Sequence, residues 1–299
     1  MEGIMFDRII GKYFVDSGKL QQSQLSQVYQ IQESKRAKLG VIAVTEKLMT
    51  VAQAEEINAL QATKDKHFGD LAIERGYLTQ TQVGRLLSLQ GNAFATFTSS
   101  IVDRGFMTLD AINEALNDFQ RDEGYTDEQM VLLKEGDMSD IIPLFVDTEN
   151  IEYKQLFTYG IKNFYRLVDT HMYVEKSYVT HSIQEECLGY QQFHGASSAT
   201  VAIAGKDADL QLMAKRYTKE EFIETKEDAL DAMCELINCI NGLYATDRSA
   251  QGERIELEPP VFSSRFANIS GNDLHIMPIH CDDSVVFLIV SVNSDVNIK

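Results

Sequence analysis

A 29-residue period runs through the first 120 residues, and it constrains this chain more than any other feature. Gly11, Gly40 and Gly69 are 29 residues apart, with Thr98 in the fourth place. Gly18, Gly76 and Gly105 keep the same spacing, with Lys47 in the second copy. The apolar columns Leu25, Ala54, Val83, Ile112 and Val28, Ile57, Leu86, Ala115 follow it too, and Gln32, Gln61 and Gln90 close three copies, with Phe119 in the fourth. Apolar residues at i, i+3 and i+4 on either side of the second glycine make each copy a helical hairpin. Thr50, Thr79 and Thr108 stand where a threonine oxygen would cap the second helix. Gly76 and Gly105 stand where a left-handed residue would end the first. A lone hairpin cannot bury its apolar face, so residues 1–122 are expected to stack as an all-α unit.

The pattern then changes twice. Residues 123–150 are crowded with Asp and Glu, are interrupted by Pro143, and read as an acidic linker with a short helix near 127–135. From 151 to 299 the chain reads as a mixed domain. Helices are expected over 151–169, 207–217 and 227–245, and strands over 172–183, 199–204, 254–258, 274–280 and 285–292. This predicts an α+β (mixed α/β) C-terminal domain behind an all-α helical-hairpin repeat domain.

The third of those helices carries the chemical signal. At ~100° per residue, Leu230, Met233, Cys234, Ile237, Asn241 and Tyr244 share one sector, and Ala232, Leu236, Cys239 and Leu243 fill an apolar sector beside it. What remains is a thin polar line of Asp231, Glu235, Asn238 and Gly242. Asn and Gly are poor mid-helix residues, costing roughly 0.5–1 kcal/mol each against Ala. Glu at i and Asn at i+3 point the same way and can meet one target.

Charge and composition narrow the function. With 45 acidic and 27 basic residues the formal charge is −18, which argues against nucleic-acid binding. The longest strongly apolar run, Val285–Val290, is far short of the ~20 residues a bilayer-spanning helix needs. The N-terminus has no signal-peptide character, and four cysteines without a CxxC spacing suit free thiols, so a cytoplasmic protein is expected. His275 and His280, five apart on one expected strand, point to opposite faces and make no joint metal site. No metal site and no glycine-rich phosphate loop is expected.

The set Asp231, Glu235, Asn238, Gly242 and, 22 residues after Asn238, Pro260 resembles the motif of the CheX/CheC/FliY chemotaxis phosphatases. The single motif is as in the CheX branch. The resemblance implies a CheX-like fold over 151–299 and hydrolysis of the aspartyl phosphate of a CheY-like receiver domain. It implies that Asn238 orients the attacking water and Glu235 pairs with the receiver's lysine, with Asp231, Gly242 and Pro260 at the partner contact. It also implies that Mg²⁺ comes from the receiver, this chain bringing no cofactor of its own, and that a homodimer is plausible. The alternative is a non-catalytic adaptor that binds a receiver or another protein. Separately, the tandem Gly-x2-apolar-x3-Gly pattern resembles the N-terminal domain of type II secretion and type IV pilus ATPases. Some of those bind cyclic di-GMP through an arginine just before the Leu-Gly pair. Here Ile9, Lys38, His67 and Thr96 hold that place, leaving Lys38 and His67 as the substitute cations of a possible nucleotide site.

Overall fold

The computed structural model describes residues 5–32, 37–61, 64, 66–135, 137–219 and 223–299. The chain divides into two units, Met1–Asp137 and Met138–Lys299.

In the first unit the four hairpins are α1 (Met5–Asp16) with α2 (Gln22–Gln32), α3 (Leu39–Thr45) with α4 (Val51–Gln61), α5 (Phe68–Glu74) with α6 (Gln80–Leu89), and α7 (Ala93–Asp103) with α8 (Leu109–Glu123). A ninth helix, α9 (Asp127–Glu135), completes the unit. The expected caps form. The Thr79 and Thr108 oxygens accept the backbone N–H of Gln82 and Ala111, and Thr50 takes that of Gln53. Every first helix ends in a left-handed residue: Gly18 (φ +71°), Gly76 (+72°), Gly105 (+67°) and, where the second copy lacks glycine, Lys47 (+56°). In each case the next residue's N–H reaches back to the carbonyl five residues before it, as from Leu48 to Ala43 and from Tyr77 to Ala72.

The copies pair reciprocally rather than stacking in sequence order. Copy 2 packs on copy 3, α3 against α6 and α4 against α5, while copy 1 packs on copy 4, α2 against α7 and α1 against α8. Of the first-column glycines, Gly40 permits the middle pairing. A Cβ on Gly40 would lie 3.0 Å from the Phe68 ring of copy 3, while one on Gly69 would lie 2.7 Å from Val83, so that glycine lets α5 and α6 close on each other within copy 3. The Gln column ties the ends together. Gln90 donates to the Ala37 carbonyl at 2.9 Å, Gln61 to that of Lys66 at 3.4 Å and Gln32 to that of Ala93 at 2.9 Å. These bonds join copies 2 and 3 in both directions, and copy 1 to copy 4.

The short helix expected near 127–135 is α9, and the stretch after it, expected to be linker, is folded in part. Met130 and Leu133 of α9 are buried, and a short helix α10 (Met138–Ile141) and a 3-10 turn, Ile142–Phe145, bury Met138, Ile141, Ile142 and Phe145. The boundary between the units falls inside it. Acidic residues take its outer face, so composition alone concealed its apolar one.

The second unit opens with α11 (Ile151–Asn163), which continues as a π-helical turn to Val168. Its sheet comprises β1 (Tyr173–Val174), β2 (Tyr178–Glu185), β3 (Cys187–Gly195), β4 (Ala199–Gly205), β5 (Ile255–Leu257), β6 (Val261–Ser263), β7 (Ala267–Cys281), β8 (Ser284–Val292) and β9 (Val296–Ile298). Between β4 and β5 come α12 (Asp207–Thr218) and α13 (Lys226–Ala250). All pairings are antiparallel, in the order β1-β7-β8-β4-β3-β5, with β2 and β9 along β7 and β6 along β3. The single strand expected over 172–183 is two, and β3, β6 and β9 were not expected.

The helices α11, α12 and α13 cover one face of this sheet. Val201, Ile203, Met277, Val286, Leu288 and Val290 are buried there, and Gly160 lets α11 lie against Leu288, where a Cβ would be 2.4 Å from the side chain. The other face carries Leu188, Ala202, Ala204, Leu274, Ile276 and Ile289. They cluster with Ala267 and Ile269 from the first half of β7 and with Val296 and Ile298, so the sheet curls over its own second core.

Candidate functional site

Helix α13 begins at a capping box in which Thr225 and Asp228 exchange bonds. It runs 25 residues along β3, with Leu230, Met233, Leu236, Ile237, Ile240 and Tyr244 buried beneath it. Its register turns Asp231, Glu235 and Asn238 outward as one exposed line, continued by the half-exposed Gly242. The exposed strip is wider than expected. Cys239, expected to pack as a small apolar residue, is exposed, and so is Leu243 at 40%. Tyr217 of α12 lies beside this strip, its hydroxyl 3.9 Å from Cys239 Sγ. Burial, helped by Cys239 and the Glu235 charge, pushes the Tyr217 hydroxyl up to about 12.

Asn238 is exposed, yet one end of its carboxamide is held from below. Gln191 of β3 is 1% exposed and donates from Nε2 to Asn238 Oδ1 at 2.8 Å and to the Glu258 carbonyl at 2.7 Å. Its Oε1 accepts from Nδ2 of the fully buried Asn241 at 2.9 Å. The Glu258 carbonyl can only accept, so it fixes which end of Gln191 faces it, and Gln191 in turn fixes Asn238. Glu258 donates its own N–H to the Gln192 carbonyl at 2.9 Å and precedes Pro259 and Pro260, whose rings stiffen the turn into β6. Pro260 thus reaches the site through the segment that anchors Gln191. Beyond it, Val261 (48% exposed) and Phe262 (38%) place apolar groups on the surface.

Gly242 has nothing within 4 Å of the place a Cβ would occupy, so packing does not explain a glycine inside a helix there. The three buried thiols are not poised for chemistry. Burial pushes Cys234 up to about 11, Cys281 up to about 12, and raises Cys187. His275 and His280 each have a separate carboxylate, Asp273 at 3.1 Å and Glu175 at 2.9 Å, and each ring lies against a tyrosine, tilted on Tyr153 for His275 and stacked on Tyr173 for His280. Among the described residues no three His, Cys, Asp or Glu side chains are grouped as metal ligands would be, and no helix is long and apolar enough to cross a membrane.

In the first unit, Lys38 and His67 precede α3 and α5 and line one cavity of about 890 Å³, with Asn58, Gln61, Leu87 and Gln90. Lys38 is already paired, its ammonium 2.6 Å from Asp103. At the matching place between copies 1 and 4, Tyr29 stands where copy 2 has Asn58. Its ring stacks on Phe97 (centroids 5.8 Å apart) with the Arg8 guanidinium 3.6 Å above it.

Sequence reasoning missed Gln191. The signal exists only once β3 is known: in its alternation Gln191 shares the helix-facing side with Gly189 and Phe193, and a glutamine on that side has to be hydrogen-bonded inside the fold.

Residues 187–275 match the family model of the chemotaxis phosphatase CheX, a span that holds Gln191, all of α13 and the Pro259–Pro260 turn. Among solved structures, similarity is found to a chemotaxis protein CheX from Desulfovibrio desulfuricans, at 12% identity over 48% of this chain and 99% of that one, with a TM-score of 0.42. A CheC-like protein from Shewanella sp. PV-4 matches at 14% identity over 48% and 98%, with a TM-score of 0.42. CheX in complex with CheY, BeF3 and Mg²⁺ from Borrelia burgdorferi matches at 16% identity over 47% and 97%, with a TM-score of 0.40. No curated protein matches the chain.

Proposed function

We propose that the second unit hydrolyses the aspartyl phosphate of a CheY-like receiver domain. One observation carries the reading: within the segment matching the CheX family, α13 presents Glu235 and Asn238 outward on one line, and the Asn238 amide is held by a buried partner. Water adds its oxygen to phosphorus while the bond to the aspartate oxygen breaks. The bonding pair stays on the carboxylate, and both water protons end on inorganic phosphate. Such a transfer needs an in-line water and neutralised charge more than covalent help. Asn238 orients the water. Glu235 pairs with the receiver's lysine, the cation that offsets its repulsion from the phosphoryl group. Asp231, one turn earlier, and Gly242, one turn later, extend the contact line, and Pro260 borders it. The receiver provides the magnesium ion.

The test is release of phosphate from phosphorylated receivers of the host, with wild type, Glu235→Ala and Asn238→Ala at equal concentration. Acceleration of at least ~10-fold, about 1.4 kcal/mol of barrier, lost in both variants, is expected. Unaccelerated decay for every receiver would leave the adaptor reading.

The cavity between copies 2 and 3 favours a second, independent reading, a cyclic di-nucleotide receptor. The groove that Tyr29 fills in the other pair is open here, with His67 and Lys38 at its edge. Calorimetry with cyclic di-GMP tests it. Binding abolished by Asn58→Tyr is expected, and no heat at high micromolar ligand removes the reading.

A further inference from the structure

We infer that Gln191 is a positioning residue for the hydrolysis, setting the Asn238 carboxamide so that its N–H₂ end faces the attacking water. The inference rests on the function proposed above and adds a residue, from strand β3 beneath the helix, that decides how Asn238 acts.

The argument begins at a backbone carbonyl. Glu258 O accepts Gln191 Nε2, which uses one of its two hydrogens, and the other goes to Asn238 Oδ1. Gln191 Oε1 takes the Asn241 amide. Reversing Gln191 would set its oxygen against the Glu258 carbonyl, which can only accept, so the fold admits one orientation. With Oδ1 of Asn238 turned inward, Nδ2 is turned about 120° away, toward solvent, and it makes no hydrogen bond within the described chain. A water accepting from that N–H spends one lone pair on it and keeps the other for phosphorus. A freely rotating amide would present oxygen as often as nitrogen.

This trio is not explained by stability. Among the described residues Asn241 Oδ1 is buried with no hydrogen-bond partner, a defect that costs on the order of 1–3 kcal/mol. An apolar pair at 191 and 241 would avoid it. The geometry also gives the Pro259–Pro260 turn a role, since it holds the carbonyl from which the orientation is transmitted.

The experiment compares full-length wild type, Gln191→Met, Gln191→Glu and Asn238→Ala on a phosphorylated host receiver from pH 5 to 8.5. Gln191→Met keeps the volume and removes the donor, so kcat should fall ~10-fold or more with KM for the receiver within about 2-fold. In Gln191→Glu, a protonated carboxyl has one O–H for two acceptors, Asn238 Oδ1 and the Glu258 carbonyl, and so holds Asn238 only in part, whereas an ionised one repels both. Burial holds such a carboxyl protonated above its usual range. Activity relative to wild type should therefore be partial at pH 5 and drop further as pH rises. The charged groups nearest the site, His194 and Glu258, are paired at 2.8 Å and are common to both proteins, so activities are compared as a ratio to wild type. A Gln191→Met enzyme as fast as wild type overturns the inference. A second readout needs no activity. The Asn238 side-chain NH₂, followed by ¹⁵N relaxation in asparagine-labelled protein, should be rigid in wild type and mobile in Gln191→Met. A mobile amide in wild type overturns the inference whatever the activity. An inactive wild type with a rigid amide refutes the phosphatase reading and with it the role at the water, while the orientation of Asn238 stands.

Discussion

Replacing Gly242 with alanine should stabilise the fold and weaken the function. Gly242 lies 16 residues into α13, well inside its 25 residues, and a Cβ there meets nothing within 4 Å. The methyl brings no clash, and the helix recovers the ~0.8–1 kcal/mol that glycine costs relative to alanine. For a unit of this size that is a rise in Tm of about 2–4 °C. On the proposed docking face, the same methyl stands between α13 and the receiver. If the receiver's surface comes within van der Waals contact, the methyl forces a shift, and a displacement near 1 Å at the reacting centre can cost about 10²-fold in rate. Thermal and urea unfolding measure the first effect, and receiver dephosphorylation with separate kcat and KM measures the second. A less stable variant would show that the open space above Gly242 is misread. A more stable variant with unchanged KM and kcat would show that no partner approaches there, and the contact line would then end at Asn238.

Other expectations follow from single residues. Asn238→Ala should lower receiver dephosphorylation by about 10²-fold, as loss of one oriented amide does elsewhere, while receiver binding by titration stays within a few-fold. Lys47→Gly should stabilise the first unit by about 1 kcal/mol, because lysine holds a left-handed conformation at φ +56° that glycine adopts freely; urea unfolding checks it. Thr79→Ala, which removes a capping box, should cost that unit about 1 kcal/mol in the same assay. Asp7, fully buried, has its carboxyl pushed up to about 7, chiefly by burial, above the 3.8 of an exposed one. The folded state therefore holds a proton that the unfolded chain releases, and stability should decline as pH rises from about 4 to 7. In Asp7→Asn, melting curves across that range should lose this decline.

The repeat and the long helix were legible because both are periodic, and the caps at Thr79 and Thr108 and the left-handed turns at Gly76 and Gly105 follow from single-residue chemistry. Lys47 shows the limit of that reasoning, since the fold imposes the left-handed turn on a residue that does not favour it. Strand β3 was not legible. Cys-Leu-Gly-Tyr-Gln-Gln-Phe-His-Gly has little β-branched content, and its strand state comes from pairing with β4 and β6, a tertiary effect. Missing β3 meant missing Gln191, so the outward half of the candidate site was read from α13 and its buried support was not. Residues 123–150 misled for the converse reason: charge density hid Met130, Leu133, Ile141 and Phe145, which fill cores.

The reciprocal pairing of the hairpins has a consequence for synthesis. A linear array can lose an end repeat and keep the rest, because each repeat leans on its sequence neighbours. Here copy 1 leans on copy 4, with α2 against α7. While the ribosome is still making copies 2 and 3, the first hairpin has emerged with its apolar side bare, and it waits for some ninety residues of further chain. The inner pair closes early over a short loop; the outer pair closes late over a long one, which slows that step. A ribosome that stalls before copy 4 therefore releases a chain with a sticky N-terminal end and an α3 that still lacks α7 and α8, a natural target for chaperones and proteases.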